Sequence, residues 1–112
     1  MRGQKAESEF LGAFEQQVLL AVLRLGDDAY GMKVRREIEQ QTGRRTSIGA
    51  VYATLQRLEE KRLVTSWEAS GTKAREGRPR RFFKVEVAGV EALRRSIQAV
   101  KNLAAGLEPV LI

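Results

Sequence analysis

The sequence predicts a mostly α-helical domain that carries one small antiparallel β-hairpin. Three observations predict it. Apolar residues recur at spacings of three and four over residues 10–25, 29–42, 48–58 and 87–106, which marks one face of an α-helix. Residues 63–68 and 81–87 alternate instead, and are rich in β-branched and aromatic side chains, as strands are. Between those two runs, residues 70–80 hold glycines, a proline and most of the spare positive charge, and read as a loop.

The bounds are consistent with this. A chain of 112 residues with 43% hydrophobic content forms one domain with its own core. No apolar run reaches about 18 residues, so no membrane span is expected. The segment Met1-Arg2-Gly3-Gln4-Lys5-Ala6-Glu7 leads into polar sequence with no long apolar region, unlike a secretory signal. Cysteine and histidine are both absent. That removes the commonest general base and the usual zinc ligands, and it fits a cytoplasmic location. No paired carboxylates or glycine-rich phosphate loop stand in a convincing context. The chain is expected not to be an enzyme and to need no cofactor or metal.

Residues 1–9 read as a flexible arm. The first helix spans 10–25, with Phe14, Val18, Ala21, Val22 and Leu25 on one stripe. Leu19, Leu20 and Leu23 extend its apolar surface around the circumference, so it is buried on more than one side. The second side meets another subunit or, alternatively, the core of a monomer. Gly26-Asp27-Asp28 stops this helix. The second helix, 29–42, turns Val34 and Ile38 inward and ends at Thr42-Gly43, glycine suiting the left-handed position beyond a helix.

A short link, Arg44-Arg45-Thr46, enters the third helix. Thr46 and Ser47 can cap it. Ile48, Val51, Leu55 and Leu58 form its inner face. The opposite face is low: Thr46, Gly49, Ala50 and Ala53 are short, and Gln56 and Arg57 follow. Such a face can approach another surface closely, and the major groove of DNA admits a helix. The bland alternative is a partly buried helix with two small-residue sides. Two helices joined by a short link, the second smooth-faced, make a helix-turn-helix pattern.

The hairpin places Leu63, Thr65 and Trp67 on one side of its first strand and Val64, Ser66 and Glu68 on the other. Net charge is +6, and residues 71–84 carry most of it: Lys73, Arg75, Arg78, Arg80, Arg81 and Lys84 face Glu76 alone. Charge focused on one tip suits the phosphates of a nucleic acid; the alternative is a solvated loop. In the last helix Val90, Leu93, Ile97, Val100, Ala104 and Leu107 repeat at three and four, an a/d seam of about two and a half heptads. Packed on a partner's first helix it makes a dimer core; alternatively it folds back on its own domain. Trp67 lines a ligand pocket or, as strand tryptophans more often do, belongs to the core.

This order of elements resembles a winged helix-turn-helix domain, and more narrowly the PadR family of bacterial transcriptional regulators. Tyr30-Gly31-Met32-Lys33-Val34 opening the second helix carries the resemblance, together with Ser47 to Val64 across the third helix. Gly77-Arg78-Pro79-Arg80-Arg81-Phe82-Phe83-Lys84 in the wing and Gly89 in the last helix add to it. The likeness covers roughly residues 10–95, and its short C-terminal part is similar to the family's compact branch. Three positions depart from the family pattern. Met32 stands where tyrosine is usual, Ala53-Thr54 where proline-alanine is common, and Glu86 where threonine commonly caps the last helix.

The resemblance implies a homodimeric repressor of an inverted-repeat operator, released in some members by a small aromatic effector held near the dimer interface. It implies an arm over 1–9, a winged helix-turn-helix over 10–87 with N-terminal and C-terminal dimerisation helices, and a C-terminal helix and tail over 88–112. Double-stranded DNA is then the partner of Thr46, Ser47, Tyr52, Gln56 and Arg57 in the third helix, and of Lys73, Arg75, Arg78 and Arg80 in the wing. The dimer interface falls to Phe14, Leu19, Leu20, Leu23, Val90, Leu93, Ile97, Val100 and Leu107. Two other classes compete. A winged helix that binds a partner protein has no need of salt-dependent duplex binding. An RNA binder shares the charge logic but calls for a sheet with exposed aromatics.

Overall fold

Gly12 begins the first helix because its N–H needs a partner and Glu15, three residues on, supplies one: Gly12 N–H donates to Glu15 Oε1 at 3.0 Å. In the computed structural model, which describes residues 10–69 and 79–112, α1 spans Ala13–Leu25, starting later than residue 10. A single 3-10 turn, Gly26–Asp28, follows, with Gly26 at φ 59°. The remaining order is α2 (Gly31–Thr42), α3 (Ile48–Glu60), β1 (Val64–Ala69), β2 (Arg80–Val85), α4 (Val87–Ala104) and a short α5 (Glu108–Leu111). The expected arm over 1–9 and the loop residues 70–78 lie outside the described residues.

Val18, Leu19, Val22, Val34, Val51, Leu55 and Leu58 share one core where α1, α2 and α3 meet. The hairpin closes it from the side. Val64 pairs with Val85 and Ser66 with Phe83, and alternation turns Val64, Phe83 and Val85 onto the core. The hairpin is also stitched to the start of α2: Phe83 N–H donates to the Ala29 carbonyl at 2.8 Å.

The last helix leaves from the hairpin without a side-chain cap. Glu86 occupies the cap position but accepts instead from Thr65 Oγ1 at 2.8 Å. Gly89 lets α4 pass over the hairpin, since a Cβ there would strike the Leu63 carbonyl and Val85. The helix divides along its length. Ala92 and Leu93 join the core, and buried Ser96 accepts from Leu11 N–H at 3.0 Å and donates to the Ala92 carbonyl at 2.9 Å. Beyond Ile97 the apolar side chains face outward, with Leu103 81% exposed.

Candidate nucleic-acid interface

The turn into α3 is held from both sides. Gly43 ends α2 in the left-handed conformation, φ 75°, where glycine carries no Cβ penalty. Three residues on, Thr46 N–H donates to Glu39 Oε2 at 2.9 Å, and the Thr46 carbonyl accepts from Arg35 Nε at 3.0 Å. Arg35 and Glu39 lie one helical turn apart and pair at 3.5 Å. The Thr46 N–H holds the Glu39 carboxyl below its usual range against partial desolvation, and the Arg35 charge adds to this. Thr46 thus sits at the helix entry with its backbone clamped. Ser47 caps α3, its Oγ accepting from Ala50 N–H at 3.0 Å.

Val51, Thr54, Leu55 and Leu58 face the core from α3, while Gly49, Ala53 and Gln56 are exposed on the far side. Ala50, expected there too, lies on the flank beside Ala13 and Phe14 of α1. Nothing lies within 4 Å of a Cβ built on Gly49. Packing therefore does not demand that glycine; it only keeps the outer face low. Tyr52 and Arg57 leave the helix on opposite flanks, about 140° apart at 100° per residue.

Arg57 faces α1 rather than the low outer face. Its Nη2 donates to Thr54 Oγ1 at 3.2 Å, and its Nε lies 3.9 Å from Glu15 Oε2. Lys61 reaches the same oxygen at 2.9 Å. Burial pushes the Glu15 carboxyl up, but the Lys61 and Gly12 hydrogen bonds and the charges of Lys61 and Arg57 outweigh it and hold the group below its usual range. Gln56 and Arg57, both expected at the groove, thus stand differently: the Arg57 flank of α3 lies beside a carboxylate of the same chain, with its side chain still half-exposed.

Tyr52 takes the other flank, and its ring lies where a Cβ on Gly31 would be. One residue earlier, Tyr30 meets the wing. Register places Thr65, Trp67 and Ala69 opposite Lys84, Phe82 and Arg80, all on the face of the hairpin away from the core. Phe82 is buried there, stacked on Trp67 at 5.9 Å and edge-on to Tyr30 at 5.6 Å. Arg80, two residues before Phe82, lays its guanidinium 3.9 Å above the Tyr30 ring centre. Trp67 is 40% exposed, so it covers Phe82 and is not a core residue. Arg81 points to the opposite face, donating to Ser66 Oγ at 2.8 Å and Glu68 Oε2 at 3.0 Å.

The structure therefore brings Tyr52 and Arg80 to one junction around Tyr30 and Gly31, beside the low face that carries Gln56. Lys73, Arg75 and Arg78 lie outside the described residues. Tyr30 is the member of this junction that residue-type reasoning leaves out. Its contact with Arg80 joins positions fifty residues apart, and no local period signals it.

The expected dimer surface is corrected at two positions. Leu19 is 0% exposed within its own chain, and Leu93 is buried against the same core, so neither is free to meet a second copy. Phe14 and Ile97 are partly buried against that core. Leu20, Leu23, Val90, Val100 and Leu107 are exposed, and Leu103, Val110 and Ile112 join them.

A family model described as the transcriptional regulator PadR-like family matches residues 19–95. A PadR-like transcriptional regulator from Bacillus cereus superposes with a TM-score of 0.71 at 18% identity, over 89% of this chain and 92% of that one. A PadR family transcriptional regulator from Eggerthella lenta gives 0.65 at 23% identity, over 84% and 80%. One from Clostridium difficile gives 0.68 at 18% identity, over 89% and 100%. At these identities the likeness establishes the winged-helix fold. No curated protein matches the chain.

Proposed function

The chain belongs to the PadR-like family of transcriptional regulators, and from that membership we propose that it is a sequence-specific repressor of duplex DNA, acting as a homodimer on an inverted repeat in the cytoplasm. The observation that carries the reading is the low outer face of α3. Gly49 and Ala53 clear a path for the helix, and exposed Gln56 stands at its centre. A glutamine there can pair with adenine in the major groove. Tyr52 flanks this face, and Arg80 extends it through the wing toward backbone phosphates. Ser47 and Thr46 set the entry of the helix, where peptide N–H groups meet the groove edge.

The homodimer reading rests on the exposed apolar side chains of Leu20 and Leu23 on α1 and Val100, Leu103 and Leu107 on α4. Large apolar side chains left exposed on two helices suit a partner surface. A small aromatic effector bound between these helices would couple ligand to DNA release. The test is selection of duplex fragments with the purified protein, followed by a salt titration on the recovered operator and a scrambled duplex. The reading expects operator preference, and affinity that falls linearly in log–log form with salt. Absence of duplex binding at every salt concentration overturns it in favour of a protein-interaction module.

A further inference from the structure

Tyr30 has no sequence to read and no charge to offer, yet it touches both halves of the junction. Its ring packs edge-on against Phe82, and the Arg80 guanidinium lies over its face at 3.9 Å. The Phe83 N–H bond to the Ala29 carbonyl fixes the strand beside it. We propose that Tyr30 is a positioning residue that holds the Arg80 guanidinium ready for a DNA phosphate; this rests on the DNA-binding reading above.

The geometry suits that task. A guanidinium donates in its plane and stacks through its face, so a ring beneath it leaves the N–H edge open for a bidentate contact. The ring also attracts the cation. An arginine free to sample many rotamers loses that freedom on binding, whereas one already held loses less. Alternation along β2 makes the arrangement possible: Arg80 and Phe82 project to the same side, one to each aspect of the same ring. The neighbour between them, Arg81, is engaged by Ser66 and Glu68 on the opposite face, so of these two arginines Arg80 is the one turned to the junction, where it meets the Tyr30 ring.

The experiment measures binding to a random-sequence duplex as salt is varied, for wild type, Arg80→Ala, Tyr30→Phe, Tyr30→Leu and the Tyr30→Leu/Arg80→Ala pair. Arg80→Ala should flatten the slope of log affinity against log salt by about 0.9. Tyr30→Phe keeps the ring and the wild-type slope. Tyr30→Leu should flatten the slope toward that of Arg80→Ala, and the pair should be no flatter than Arg80→Ala alone. A merely structural role for Tyr30 would lower the melting temperature without changing the slope. NMR of the free wild-type protein adds a readout that needs no variant to fold: Arg80 side-chain protons should be shifted upfield by the ring current. Unshifted protons overturn the proposal, as does a wild-type slope in Tyr30→Leu alongside a flattened one in Arg80→Ala. A wild-type slope in Arg80→Ala overturns it too, by removing the phosphate contact. Failure of the wild type to bind any duplex instead overturns the DNA-binding reading.

Discussion

The phenol of Tyr52 fills the space above the Gly31 Cα, with its Cε1 2.7 Å from where a Cβ would be. Substituting Gly31→Ala must push that ring aside. The ring is half-exposed and can move, so the loss should stay near 1 kcal/mol. A double-mutant cycle with Tyr52→Ala checks the cause. The pair should be less destabilised than the two single losses added together, because neighbours in contact do not add. Additive losses would mean that the two residues do not compete for space.

Gln56 and Arg57 are adjacent but should behave differently. Gln56→Ala removes a candidate base contact worth about 1–3 kcal/mol. It should narrow the gap between operator and random duplex while sparing random-duplex affinity. Arg57 is held toward Glu15 and Thr54. Arg57→Ala should therefore leave the salt slope within error of wild type. A slope flattened by about 0.9 would show that Arg57 leaves Glu15 to reach a phosphate.

Acid should weaken the fold through named carboxylates. Glu39 sits below its usual range through the Thr46 N–H, and Glu37 does so through Arg24, which donates at 2.7 Å. A group whose folded pKa lies below its unfolded one, about 4.3 for glutamate, adds stability above the unfolded value. That stability is lost as pH falls through the folded value. The melting temperature should hold near neutrality and fall below about pH 4.3. Glu39→Gln should melt lower than wild type at pH 7, and the two should converge in acid. A gap that does not change with pH would detach the Glu39 charge from the turn.

The proposed dimer surface can be probed where the chain's own core is not involved. Val100 is exposed on α4, whereas Leu93 is buried in the protomer. Val100→Asp should leave thermal unfolding of the protomer intact and raise the dimer dissociation constant roughly thirtyfold or more, about 2 kcal/mol. Leu93→Asp should unfold the protein. Sedimentation equilibrium showing Val100→Asp as dimeric as wild type would place the interface elsewhere.

What could be read from sequence followed the range of the interactions. Gly43, Ser47 and the alternation of Val64 and Val85 act within a few residues, and each does in the structure what its type and spacing suggest. The inner face of α3 was legible for the same reason. Period alone cannot say which of several apolar stripes meets the chain's own core. Leu19 and Leu20 are neighbours on α1, yet one is sealed and the other exposed, because α2 and α3 cover only part of the helix. The seam of α4 divides in the same way: Leu93 is claimed by the core, while Val90 and Val100 on the same stripe stay exposed. Arg57 and Arg80 both read as free cations, and only the fold shows that Glu15 faces one and Tyr30 the other.

Ser96 is a single hydroxyl near the middle of α4, bonded to Leu11 eighty-five positions away. The helix it anchors is eighteen residues long, or about 27 Å at 1.5 Å per residue. That makes the bond a pivot halfway along the helix, with about 12 Å of it beyond. A tilt of about 5° about that point displaces the far end by roughly 1 Å. In a two-fold assembly joined through α4, that end sets how far apart the two reading helices stand. The spacing of operator half-sites, a property of the DNA, would then be gauged by one serine that never approaches it.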